Sequence, residues 1–268
     1  MHLKRWITGL IALPILIFLV YTGGMAFTLL VSAAAVVALW EYNRIVLDPA
    51  LAGVSDLIFG WGYVLGAAIV WAAHWMGAEL ILCLVALNLV VIALVSMFQF
   101  KANPAVLRVI VRQLQGNIYI PVLLSFLILI RAGDSGMSWI FLLMAIVFAG
   151  DTSAYYVGSY WGRHKLSPAI SPGKTIEGSA SGLAANLAVG AIGKALFFPG
   201  LPWPASIIFS IAVGAAGQIG DLFESEMKRF SGIKDSSNIL PGHGGILDRI
   251  DALLFASPVA YVFIRFIF

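Results

Sequence analysis

Two pairs of acidic residues near the end of the chain have the spacing of one helical turn. Asp221 and Glu224 are i and i+3, and Asp248 and Asp251 repeat the interval, so each pair shares a helical face. Ser225 follows Asp221 by four and lies on the same side. Converging carboxylates repel one another and are tolerated where a cation sits between them; hard oxygen donors suit Mg²⁺. A single pair would read as solvated charge at a helix end. Two pairs flanking one loop point instead to a cation site, with Asp221, Asp248 and Glu224 as its ligands and Asp251 completing or orienting the set. The loop between them contains Leu240-Pro241-Gly242-His243-Gly244-Gly245, with Lys228, Arg229, Lys234 and Arg249 around it. Glycines let backbone N–H groups turn inward into an anion-binding concavity. Metal-binding acids beside a basic nest of phosphate size indicate a nucleotide or a phospholipid headgroup bound through Mg²⁺. His243 serves as a phosphate ligand, as an acid/base, or as nothing more than a loop residue.

A second basic loop holds Arg163, Lys165 and then Ser171-Pro172-Gly173-Lys174-Thr175. Ser followed by Pro reads as an N-cap and the first residue of a helix, and helix N-termini attract phosphate. The Gly-Lys-Thr string copies the end of a P-loop, but Pro168 stands where that motif needs glycine and no strand is expected before it. Ser171, Lys174 and Thr175 are therefore a candidate anion site of another kind. Asp151 follows the apolar run Trp139 to Gly150. A carboxylate within a membrane span is costly unless it is paired, liganded or in a water-filled cavity. Asp151 is read as organising such a cavity, the alternative being a structural hydrogen bond to a neighbouring helix.

The elements that position these groups follow from composition. Of 268 residues, 61% are hydrophobic and only 11% charged, against roughly 25% charged in soluble domains. A soluble globule of this composition would expose large apolar patches, and neither disorder nor a compact nucleic-acid module fits. The chain reads as an all-α, polytopic integral membrane bundle. About nine runs are long enough to cross a hydrocarbon core, near residues 6–22, 25–43, 55–74, 78–98, 118–132, 137–158, 176–198, 205–224 and 249–267. The first resembles a signal peptide, but Thr22-Gly23-Gly24 offers no clear cleavage site, and it is read as retained. With the amino terminus cytoplasmic and the carboxyl terminus outside, 13 of the 16 Lys and Arg residues fall on the inner side, as the positive-inside rule requires. Segment 101–117 has Val106, Ile110 and Leu114 at helical spacing, which suits a surface-lying helix or a solvated linker. The lone Cys83 reads as a small buried hydrophobe.

One membrane domain is expected over 1–268, with 1–117 as scaffold spans and 118–268 as a catalytic bundle with cytoplasmic loops. Nine of the 13 acids lie after residue 130. Spans seven and eight are rich in Gly, Ala and Ser, which lets helix backbones approach closely, within one chain or between two copies in a homodimer.

The strings Ser225-Glu226-Met227-Lys228-Arg229, Lys234-Asp235 and Pro241-Gly242-His243-Gly244-Gly245-Ile246-Leu247-Asp248-Arg249-Ile250-Asp251 resemble the signature of the phosphatidate cytidylyltransferase (CDP-diacylglycerol synthase) family. Asp151 to Tyr155 and Ser171 to Gly178 resemble its upstream motifs, so the resemblance covers about 145–255 firmly. It implies transfer of CMP from CTP to phosphatidate, giving CDP-diacylglycerol and pyrophosphate in phospholipid biosynthesis. It implies Mg²⁺ as cofactor and leaves room for a monovalent cation such as K⁺. Asp221, Asp248, Asp251, Lys228 and Arg229 are then the expected catalytic residues. Ser171, Lys174, Thr175, Ser225, His243, Gly244, Gly245 and Asp151 would bind substrate. A bilayer-embedded lipid must meet a soluble nucleotide, so the site belongs at the inner interface. No organelle signal is evident, so a bacterial cytoplasmic membrane is the expected location. A transporter would spread its acids through the membrane depth, and a CDP-alcohol phosphotransferase would carry an Asp-Gly-x-x-Ala-Arg string that is absent here.

Overall fold

The computed structural model describes residues 2–46, 52–240, 242 and 244–268. They form two compact units: Met1–Ala132 with Asp235–Arg249, and Gly133–Lys234 with Ile250–Phe268.

The first unit contains α1 (His2–Thr22), α2 (Gly24–Val46), α3 (Ala52–Trp75), α4 (Ala78–Gln99), α5 (Val106–Asn117) and α6 (Leu123–Ala132). Its helices are long because the apolar runs are long; Gly23, Gly77 and Asn103-Pro104 stand between successive ones. Ile58 and Phe59 of α3, Ile92 of α4, and Val106, Val109 and Ile110 of α5 make one buried cluster. Polar side chains inside it are paired, as low-dielectric surroundings demand. Trp61 Nε1 donates to Asn88 Oδ1 at 3.0 Å, and Asn88 Nδ2 donates to Gln113 Oε1 at 3.2 Å. Within segment 101–117, helix α5 turns Val106, Val109 and Ile110 into this cluster. Pro121 has no N–H to give to an α-helical ladder, and the chain widens into a π-turn at Ile118–Val122. Helix α5, this turn and α6 run on as one apolar segment, Val106–Ala132, of 27 residues.

Arg131, one of three cations left on the expected outer side, has a structural task. Its Nε donates to Val20 O at 2.8 Å and its Nη2 to Tyr21 O at 2.9 Å. These carbonyls belong to the last turn of α1, which lacks intrahelical donors. Arg131→Ala should lower stability by about 1–2 kcal/mol and leave turnover unchanged, as read by thermal unfolding and specific activity in the same detergent.

The second unit contains α7 (Gly136–Trp161), a hairpin of β1 (Lys165–Ser167) and β2 (Ser171–Thr175), α8 (Ile176–Phe197) and α9 (Trp203–Phe230). It also takes α10 (Leu247–Phe266) from Ile250 onward. Helices α7 and α8 are tied by reciprocal bonds: Ser153 Oγ donates to Ser181 O at 3.1 Å, and Ser181 Oγ to Ser153 O at 3.2 Å. Trp139 of α7 stacks on Phe198 at 4.0 Å between ring centres and meets Phe209 of α9 edge-on at 5.2 Å.

The hairpin qualifies the all-α expectation and moves a helix start. Lys165 pairs with Thr175 and Ser167 with Ser171, antiparallel. Ser171 and Pro172 therefore lie in a strand and do not cap a helix. In a two-stranded sheet both strands are edges, where proline's missing donor costs nothing. Thr175 is the actual cap, its Oγ1 accepting from Gly178 N at 3.1 Å.

Among the described residues seven helical segments are long and apolar enough to cross a membrane, which makes this a multi-pass helical membrane protein. Two of the nine expected spans are not among them. The described apolar part of α1 covers only Ala12–Thr22. Helix α10 carries Asp248, Arg249 and Asp251 in its first turns and Arg265 at its end. Cys83 is exposed on α4, not buried. Residues of the Leu82, Leu87, Leu94 kind are also exposed there, as on a helix that turns apolar side chains toward lipid.

Candidate functional site

In the second unit, α7, the hairpin, α8 and α9 enclose a cavity of about 340 Å³. Asp151, Tyr155, Ser171, Lys174, Thr175 and Asp221 are among its lining residues. Asp151, Ser171, Lys174, Thr175 and Asp221, five of the fourteen lining residues, are ones the sequence singled out. Lys174 Nζ lies 2.7 Å from Asp221 Oδ2, with the two side chains 26% and 34% exposed. A cation and an anion are thus held together, partly desolvated, on the wall of one cavity.

Local structure explains this placement. The hairpin carries Lys174 one residue before the α8 cap. Its turn is fastened to the end of α9, where Arg229 Nε donates to Ile170 O at 3.1 Å. At its base, Glu177 in the first turn of α8 accepts from Arg163 N at 3.1 Å and contacts His164 Nδ1 at 2.6 Å. Gln218, one turn before Asp221, donates to Ser179 O at 3.0 Å and accepts from Ser179 Oγ. Arg229 was expected to hold phosphate; its described hydrogen bond is to the hairpin backbone.

Helix α10 brings a second acid, Asp251, toward Asp221. A Cβ on Gly220 would lie 2.5 Å from Asp251 O, so the α10 backbone approaches at that point only because position 220 has no side chain. Asp221, Asp151 and Lys228 all act electrostatically on Asp251. Three carboxylates and a lysine therefore share one neighbourhood. Glu224 was expected as a ligand beside them. It is fully buried and ion-paired with Lys228, its i+4 neighbour, because a buried carboxylate is tolerated only beside a cation. Ser225 is half-buried on α9.

Among the described residues no three His, Cys, Asp or Glu side chains close into a metal-binding set. The oxygen chemistry of Asp221, Asp251 and Asp151 still fits a hard divalent ion. Mg²⁺ characteristically takes one or two carboxylates and completes its shell with substrate phosphates and water.

The glycine loop belongs to the first unit. Leu240 N donates to Gly244 O at 2.9 Å, and Gly244 has a φ of +83°. Gly245 N donates to Asp248 Oδ2 at 2.8 Å. Ile246 N and Leu247 N donate to the two oxygens of Glu41, at 3.0 and 2.6 Å. Three described backbone donors of this segment are thus taken by the protein's own carboxylates. Asp248 also accepts from Ser236 N at 3.1 Å and Ser236 Oγ at 2.9 Å. His243, expected at the nest, lies outside the described residues.

Glu41, Ser236 and Ser237 were not foreseen, nor were Tyr155, Ser179 and Gln218. Glu41 carried one faint signal, an acid at the end of the apolar run of α2, before Tyr42-Asn43-Arg44.

Comparison with known proteins gives a consistent result. The sequence profile described as the cytidylyltransferase family matches residues 3–267. The chain is 35% identical over 264 residues to the phosphatidate cytidylyltransferase of Bacillus subtilis (strain 168), covering 96% of each chain. It is 32% identical over 259 residues to the protein of the same name from Staphylococcus aureus (strain COL), covering 95% of this chain and 96% of the relative. The namesake from Staphylococcus saprophyticus is 31% identical over 257 residues, with 95% and 96% covered.

Proposed function

The chain belongs to the cytidylyltransferase family and is a nucleotidyltransferase; from that premise we propose that it transfers CMP from CTP to phosphatidate, releasing pyrophosphate and forming CDP-diacylglycerol. The carrying observation is the Lys174–Asp221 pair at 2.7 Å on the cavity wall, in a chain whose named relatives are phosphatidate cytidylyltransferases.

The reaction joins two polyanions. An oxygen of the lipid phosphate attacks the α-phosphorus of CTP in line, and the bond from that phosphorus to the bridging oxygen of the β-phosphate breaks. A phosphate monoester is largely ionised near neutral pH, so the attack needs no strong base. The protein's work is positioning and neutralisation of charge. Lys174 would pair with phosphate oxygens once it is drawn from Asp221. Lys228, held by Glu224, keeps positive charge beside Asp251. Asp221 and Asp251 would hold Mg²⁺, with Asp151 orienting its water. The ion would offset phosphate charge and favour departure of pyrophosphate. Thr175 and Ser171 present hydroxyls at the hairpin side of the same cavity.

The same reading sets α1 and α10 in the bilayer beside the seven apolar segments, nine spans in all, with the amino terminus on the cytosolic side of a bacterial membrane. Positive charge on the inner segments supports it. The function is tested by supplying α-phosphate-labelled CTP to the purified protein with phosphatidate in mixed micelles. Labelled CDP-diacylglycerol should form, stop on adding EDTA and return with excess Mg²⁺. Absence of labelled lipid from folded, monodisperse protein would reject the proposal, and formation that persists in EDTA would reject the metal.

A further inference from the structure

Glu41 is fully buried in α2, yet its carboxylate accepts four described hydrogen bonds, all from the segment 236–247. Ser236 Oγ donates to Oε2 at 3.2 Å and Ser237 Oγ to Oε1 at 2.5 Å. Ile246 N donates to Oε1 at 3.0 Å and Leu247 N to Oε2 at 2.6 Å. The last two are at the start of α10, where free N–H groups and the helix dipole favour an anion. The carboxylate therefore occupies a place that could otherwise receive an external anion, nearly 200 residues away in sequence.

The fit is close enough to exclude a side chain at position 245. A Cβ there would lie 2.0 Å from Ser236 Oγ and 2.3 Å from Glu41 Oε1. The signature glycine thus makes room for Glu41 as well as for a turn. Ser236 also links Glu41 to Asp248: its Oγ is 3.2 Å from Glu41 Oε2 and 2.9 Å from Asp248 Oδ2. One hydroxyl hydrogen serves two acceptors, so a shift of either carboxylate is felt by the other.

We infer that Glu41 is a positioning residue for the transferase reaction, holding the 235–248 loop and through Ser236 fixing the carboxylate of Asp248. This rests on the proposed transferase function and on the family signature's implication that the loop and Asp248 serve it. Glu41→Gln keeps the shape but puts an NH₂ group against donors. Glu41→Asp keeps the charge and shortens the reach. Gly245→Ala attacks the same contact from the loop side.

The test uses the full-length protein in one detergent. Hydrogen exchange of the peptide covering 235–248 is measured beside kcat and KM for CTP. In Glu41→Gln, exchange in that peptide should rise while peptides from α7 to α9 stay unchanged. Its kcat should fall about ten- to a hundredfold, the range typical of groups that orient a reacting shell. Glu41→Asp should recover part of the loss, and Gly245→Ala should reproduce it. Unchanged exchange, or faster loop exchange with wild-type kcat, overturns the inference. So does faster exchange throughout the protein, which would mean a general fold defect. If wild-type protein makes no CDP-diacylglycerol, the functional proposal fails by itself, and the exchange data still decide whether Glu41 holds the loop.

Discussion

Asp221→Asn should lower CTP-dependent turnover by about 10²–10³-fold and leave the protein folded. Asparagine has nearly the shape of aspartate, so α9 and its contact with α10 at Gly220 persist. What disappears is the charge that pairs with Lys174 at 2.7 Å and acts on Asp251. The stability cost should be small, because both partners of the pair are partly solvated and such pairs contribute about 0–1 kcal/mol. Loss of charge here has opposite effects on phosphate and on cation binding. It frees Lys174 for phosphate, so KM for CTP should rise little or even fall. It weakens cation binding, so kcat should fall and the Mg²⁺ concentration for half-maximal rate should rise. Asp134, exposed between α6 and α7, is the matched control, and Asp134→Asn should keep wild-type turnover. Wild-type kinetics in Asp221→Asn would remove Asp221 from the reaction.

Gly220→Val should damage the second unit severely. Even a Cβ at 220 would stand 2.5 Å from Asp251 O. Backbone cannot swing aside as a side-chain tip can, so α9 and α10 must part. Overpacking of this kind costs about 1–3 kcal/mol, which corresponds to a fall in Tm of roughly 2–12 °C. Asp251 moves with its backbone, so activity should fall further than residual folding accounts for. The check is thermal unfolding together with turnover well below the lowered Tm. Normal activity at low temperature with a lowered Tm would show that the approach of α10 serves packing alone. An unchanged Tm would show that α9 and α10 do not meet at Gly220.

Much of the site was legible because membrane proteins pay heavily for misplaced charge. Asp151 in an apolar run and the paired acids of α9 and α10 stood out against that background, and so did the basic Ser171 to Thr175 segment. Burial of an uncompensated carboxylate is expensive enough that its mere presence predicts a partner. Which partner it has is another matter. Asp221 and Glu224 share a helical face, but one borders the cavity with Lys174 and the other is sealed against Lys228. A spacing of three residues gives a common side, not a common neighbour. Ser171 and Pro172 looked like a helix start because that dipeptide commonly is one. The pairing of Lys165 with Thr175 prevailed, and strand pairing between segments leaves little local trace. Glu41 was hidden for the same reason at greater range, since its donors lie nearly 200 residues away.

Composition alone established a helical membrane protein, because no other backbone arrangement of so apolar a chain, outside a closed barrel, satisfies its N–H and C=O groups in lipid. The ordered acids, bases and glycines of the last third established a chemistry of phosphates and hard cations. Only tertiary structure decided which charges meet. That choice depends on approach distances set by single residues such as Gly220 and Gly245, and on hydrogen bonds such as those of Glu41, which cross sequence separations that no periodicity spans.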